Sequence, residues 1–135
     1  MAKYFASNEL AGTQQAMTTT FKTLVTAVSP ATVKRVRIFE IKCGQNGTPA
    51  ASDTSISFDV SAVTAAGTAT AVTPTKFDPG DGVAVTACAA NHTAEPTVTA
   101  ASSVWNVAGN QRAPFGWVAL MDSAQLIGPA TSAAG

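Results

Sequence analysis

Apolar and polar positions alternate along this chain in short period-two stretches, and the densest of them breaks its own rule. Val33 to Cys43 reads Val-Lys-Arg-Val-Arg-Ile-Phe-Glu-Ile-Lys-Cys. Strict alternation would put Val36 and Ile38 on one face with Glu40 and Lys42, and Phe39, Ile41 and Cys43 on the other with Arg35 and Arg37. One extra residue near Ile38–Phe39 resolves the conflict, because a bulge moves the apolar set across the pleat. Val36, Ile38, Phe39, Ile41 and Cys43 then face inward, with Arg35, Arg37, Glu40 and Lys42 in water.

The other stretches follow on either side. Residues 1–17 hold no sustained period and read as an N-terminal arm with a short strand, docking on its own domain. Thr18–Val28 is a strand by composition, closed by Ser29-Pro30-Ala31. Asn46-Gly47 is a strong turn pair, since both residues tolerate positive φ. Asp53–Ala62 alternates cleanly, with Ile56, Phe58, Val60 and Ala62 opposite Ser55, Ser57, Asp59 and Ser61, and should pair antiparallel with the central strand. Thr64–Asp81 is punctuated by Gly67, Pro74, Pro79 and Gly80 and reads as one long ordered loop, with a short strand near Ala69–Val72. Val83–Ala87 is expected as a strand with Val83 and Val85 inward, and Asn91–Thr97 as a turn. Val104–Val107 and Phe115–Leu120 should form a hairpin around Gly109–Arg112, and Leu126–Ile127 should begin a further strand. About seven short strands spaced by turns predict an all-β fold, an antiparallel β-sandwich or jelly roll. The expected division is an arm, 1–17, and a single domain, 18–135.

Composition narrows the function classes. Of 135 residues 12% are charged, the net charge is zero, and the 46% hydrophobic fraction is mostly Ala and Val. A neutral chain lacks the clustered cations that phosphate backbones require, so no nucleic-acid partner is expected. Sparse charge also gives little protection against association, which hints at assembly. No stretch has the length and apolar content of a signal peptide or a membrane span, so synthesis in a cytosol and no membrane partner are expected. Cys43 and Cys88 are too far apart for a CxxC motif; two reduced thiols, at least one buried, is the favoured reading, and a disulfide within or between chains is the other.

Candidate chemistry is scarce. His92, the only histidine, sits among turn residues and is expected to be exposed and non-catalytic. Asp78 and Asp81 in Asp-Pro-Gly-Asp-Gly have the oxygens for a hard cation, yet the same residues build turns, and the turn is favoured. No catalytic motif occurs, and neither an enzyme, a metal nor a cofactor is expected. Trp105, Trp117, Phe115 and Tyr4 are available as a sugar platform, but large rings at period two on neighbouring strands more often bury together.

Three passages carry a resemblance. Ala66–Pro79 (Ala-Gly-Thr-Ala-Thr-Ala-Val-Thr-Pro-Thr-Lys-Phe-Asp-Pro), Asn91–Thr97 (Asn-His-Thr-Ala-Glu-Pro-Thr) and Asn110–Val118 (Asn-Gln-Arg-Ala-Pro-Phe-Gly-Trp-Val), with the Met-Ala-Lys-Tyr start, resemble small structural proteins of tailed bacteriophages. The resemblance implies a virion protein on the capsid exterior, a decoration or cement protein made in the bacterial cytoplasm. Its partners would be the major capsid protein and further copies of itself, as dimer or trimer. It also implies one or two strands beyond Gly135. Residues expected to meet a partner are Tyr4 and Phe5 in the arm, Asn46 and Gly47 at the turn, and Gly67, Val72 and Phe77 in the loop. A tail, baseplate or head-fibre subunit and a carbohydrate-binding module are the alternatives.

Overall fold

The structure is a computed structural model and describes residues 2–16, 18–29, 34–48 and 51–128. It is built mainly of strands: β1 (Tyr4–Phe5), β2 (Val25–Val28), β3 (Arg37–Ile38), β4 (Glu40–Cys43), β5 (Ser55–Ala65), β6 (Thr68–Val72), β7 (Thr75–Lys76), β8 (Ala87–Ala94), β9 (Thr97–Asn110), β10 (Phe115–Val118) and β11 (Leu126–Ile127). Among the described residues the helices are two short 3-10 turns, Asn8–Ala11 and Asp122–Ala124. The chain divides into two compact units, one of Met1–Val36, Ala62–Thr99 and Gly128–Gly135, the other of Arg37–Ser61 and Ala100–Ile127. The long strands β5 and β9 pair with each other and contribute residues to both.

In the first unit β8 is the centre of a three-stranded antiparallel sheet in the order β2-β8-β6. Register aligns Ala27, Cys88 and Val72 across the three strands, and likewise Val25, Ala90 and Thr70. Residues opposite one another share a face, so Val25, Ala27, Val72, Cys88 and Ala90 form one apolar surface. Ala6 and Ala11 from the arm pack onto it, and the 3-10 turn Asn8–Ala11 sits against β8 and β6. The arm is therefore a layer of this unit's core. Burying Val72 contributes about 1.5–3 kcal/mol, and the alanines much less, so the interior is thin.

Between Thr68↔Ala94 and Thr70↔Ala90, one residue of β6 faces three of β8. Asn91 in that bulge has φ +53, a left-handed conformation that asparagine accepts more readily than most side chains. Its amide donates to the backbone oxygen and the hydroxyl of Thr13, tying the end of the arm to the bulge.

In the second unit, β4 pairs antiparallel with β10 and β3 with β11. Phe115↔Cys43 and Trp117↔Ile41 put four apolar side chains on one face of the β4–β10 ribbon. Trp105 of β9 meets this face, its ring centroid 5.6 Å from Phe115 and 6.4 Å from Trp117. Across β5 and β9, Asp59 accepts hydrogen bonds from Ser103 and, at 3.4 Å, from the Asn106 amide. A clasp follows at the end of β9. The buried Gln111 donates from its backbone to Thr54 O at 3.0 Å and from its side chain to Ser52 O at 2.9 Å, and Arg112 Nε donates to Asp53 at 2.7 Å.

The central segment follows its expected pattern of burial except at Glu40, which was expected in water. Val36, Ile38, Phe39, Ile41 and Cys43 are half-buried, and Arg35, Arg37 and Lys42 are exposed; Glu40 is half-buried with an ion pair to Lys42. The pleat resets by a change of partner at Phe39, which accepts a hydrogen bond from Ala119, and Val33 lies outside the described residues. Alternation in β5 also holds through Val60, β1 and β11 form as expected, and Gly47 has φ +104.

Several expectations are corrected. Thr18–Leu24 is not strand, because β propensity without a pairing partner does not make one. β5 pairs with β9 rather than with the central strand, and β10 pairs with β4 rather than closing a hairpin with β9. The short strand expected near Ala69–Val72 forms as β6, and the rest of the expected loop contains a second strand, β7. Val83 and Val85 are exposed and outside any strand, and Asn91–Ala94 is strand, leaving Glu95–Pro96 as the turn. Pro30 and Ala31 of the expected turn lie outside the described residues.

Two backbone positions can be tested. Gly67 has φ +71, and a Cβ there would overlap Ala94 O and come within 2.8 Å of Pro96 N. Gly67→Ala should therefore lower stability by more than about 2 kcal/mol, from the left-handed penalty plus the overlap. Ala101, in β9, has φ +56 with a Cβ attached. Ala101→Gly should raise stability by up to about 1 kcal/mol and Ala101→Val should lower it. Urea denaturation midpoints with unchanged slopes would measure all three.

Candidate interaction surface

The β1–β7 ribbon displays the aromatic residues that the sequence singles out. Phe5 lies opposite Thr75 and Tyr4 opposite Lys76, and Phe77 donates its N–H to Lys3 O at 3.1 Å. This register puts Lys3, Phe5, Thr75 and Phe77 on one face and Tyr4 with Lys76 on the other. On the outer face Phe5 is 50% exposed and Phe77 61%. The inner face holds the following loop. Tyr4 donates its hydroxyl to Gly82 O at 3.0 Å, and Lys76 Nζ donates to Pro79 O at 3.2 Å and to Asp81 O at 2.7 Å. Asp78 accepts from Gly80 N at 2.8 Å, as turn chemistry requires. The lysine ammonium thus holds two backbone carbonyls of this turn.

The remaining expected contact residues separate. Asn46 and Gly47 are exposed in the second unit. Gly67 is confined by the Ala94–Pro96 backbone. Val72 is 5% exposed in the core of the first unit, which removes it from any surface. Tyr4 is half-buried and already bonded. Phe5 and Phe77 are the pair that the fold brings together.

Sequence reasoning missed other exposed apolar residues. Leu120, just after β10, is 93% exposed, with Met121 beside it; Phe21, Val83, Val85, Val98 and Val118 are exposed as well. Leu120 and Met121 adjoin Asp122-Ser123, and an apolar pair ending a strand next to polar turn residues was the available signal. Among the described residues twelve large hydrophobic side chains are exposed, while five hydrophobic residues are buried.

The ionisable groups are mostly structural. His92 is 6% exposed on β8, correcting the expectation of an exposed loop residue, because the Asn91 bulge turns it inward. Its Nε2 lies 3.4 Å from the Thr26 hydroxyl, and its Nδ1 has no hydrogen-bond partner among the described residues. No group of three or more His, Cys, Asp or Glu that could hold a metal ion occurs among the described residues. Cys43 and Cys88 are both free thiols, Cys88 buried, and desolvation pushes both upward in pKa. The half-buried rings of Trp105, Phe115 and Trp117 are tilted by 45° and 53° and so present no flat sugar platform. Comparison of the chain with protein-family models, with curated proteins and with solved structures gives no match in any of the three.

Two carboxylates carry a pH dependence. Partial burial acts to raise the Glu95 carboxyl, but hydrogen bonds from Thr23 and the Lys22 ammonium outweigh it and hold the group below its ordinary value of 4.5. At Asp59, hydrogen bonds from Ser103, Ser61 and Asn106 likewise outweigh burial and lower the group. A depressed carboxylate stabilises the fold above its unfolded value, and that contribution is lost as pH falls through the folded one. Glu95 bonds Thr23 N at 2.9 Å and Lys22 Nζ at 3.2 Å, just ahead of β2. The melting temperature should therefore fall as pH is lowered from about 5 to 3, and Glu95→Gln should make that fall shallower. Thermal melts of both proteins across this range would check it.

Proposed function

We propose that this chain is a structural protein of a tailed-phage virion, a decoration or cement protein that binds the capsid exterior. In this reading its strands form a sandwich of the jelly-roll kind, and copies of the chain meet the major capsid protein at capsomer junctions. One observation carries the proposal: among the described residues, more large hydrophobic side chains are exposed than are buried. Such residues reach a favourable state when another protein covers them, at roughly 25 cal/mol per Å² of apolar area. Net neutrality supports protein rather than nucleic acid as that partner. Repetition over a shell turns modest contacts into high avidity.

The face of Phe5 and Phe77 is the proposed shell contact, with the Asn46–Gly47 turn as a second point. Deleting the arm would be a poor test, because Ala6 and Ala11 complete the core. Phe5→Ser with Phe77→Ser changes two side chains of the outer face and leaves the arm's alanines in place. The wild-type chain should sediment with intact particles at a fixed ratio to the major shell protein. The double variant should keep its melting temperature within a few degrees and bind at least about tenfold more weakly, a loss of about 1.4 kcal/mol. Undiminished binding by the variant removes this face from the proposal, and wild-type chain absent from particles removes the virion role. Imaging of labelled particles separates head from tail attachment.

A further inference from the structure

We propose that the arm is exchanged between copies, so that residues 2–13 of one chain complete the core of another. This rests on the reading of the chain as an assembling protein and adds the connection through which copies join. The apolar face of β2-β8-β6 has as its cover Ala6, Ala11 and the 3-10 turn between them. β1 adds to β7 through a two-residue ladder, and Asn91 grips Thr13. These contacts define a docking site with a known occupant. A second copy's arm carries the same side chains and fits without any new complementarity, which makes exchange a low-cost route to an oligomer.

The connection to the rest of the chain permits it. Gly12 ends the 3-10 turn in the left-handed region, φ +83, and nothing lies within 4 Å of where its side chain would be. Residues 14–16 and 18–24 then belong to no helix or strand, and from Thr18 to Lys22 every residue is exposed. The hydroxyl of Thr18 bonds locally, to Thr20 O at 2.7 Å, and the chain is anchored again at Lys22 and Thr23 by Glu95. Fully extended, residues 14–21, ahead of that anchor, span at most about 29 Å. That is enough to carry the arm to a neighbouring copy. Arm and docking site both belong to the first unit, so the exchanged contacts equal those within one chain.

Thr13 Oγ1 and Asn91 Nδ2 stand 2.6 Å apart, and cysteines at these two positions report which chain supplies the arm. The purified chain carrying Thr13→Cys and Asn91→Cys is oxidised and run on a non-reducing denaturing gel. The wild-type chain serves as the baseline for Cys43 and Cys88. Exchange predicts that most of the new disulfide joins different chains, giving products of two or more chain masses. Oxidised product confined to a single chain mass overturns the proposal. Where the pair resists oxidation, Lys3→Cys with Phe77→Cys beside the β1–β7 ladder makes the same distinction at the arm's other end, with particle binding then read on the wild-type chain because Phe77 is a proposed contact. Covalent oligomers from a chain that does not bind particles would keep the exchange and discard the shell role. Particle binding with single-chain products would do the reverse.

Discussion

A chain made largely of alanine, threonine and valine has little side-chain volume with which to fill an interior. That shortage governs the rest of the structure. In the first unit the core is a sheet face of small residues, Ala27, Val72, Cys88 and Ala90, and a thin layer of alanines suffices to cover it. In the second, the trio of Trp105, Phe115 and Trp117 provides bulk from a few residues. Order then depends on backbone ladders and on polar pins such as Asp59 with Ser103, and Gln111 with Ser52 and Thr54. Hydrogen bonds of this kind contribute only about 1 kcal/mol each, so the network matters more than any single member.

The same shortage explains which expectations survived. Element type was legible, because β-branched residues and period two depend on local chemistry. The reset of the pleat near Phe39 was legible for the same reason, since no other placement puts Ile38 and Ile41 inside with Arg37 outside. Pairing partners were not. β4 meets β10 and β5 meets β9 through long-range registers, which the pattern within each strand does not encode. Asn91 shows the limit well. Its tolerance for positive φ was visible, but that tolerance serves equally in a turn or in a bulge inside a strand. The bulge then decides the fate of His92. Val83 and Val85 misled for a related reason, as alternation predicts a buried face only where a second layer exists to bury it.

For the surface, the sequence singled out Phe5 and Phe77 without indicating that they share a face; a two-residue ladder did that. Val72 was drawn into the same set by its place in a Thr- and Ala-rich segment, and register moved it into the core. Leu120 was read as the end of the Phe115–Leu120 strand, which instead stops at Val118, and its exposure beside Met121 stayed unread.

Lys76 has a consequence for the environments this loop can withstand. Its ammonium is tethered to the chain and already held by Pro79 O and Asp81 O. The curvature of the Asp78–Gly82 segment is thus supported by a counter-charge that cannot be dialysed away. Chelation or a change of mineral content leaves that support in place, and with it the seat of the Tyr4 hydroxyl on Gly82.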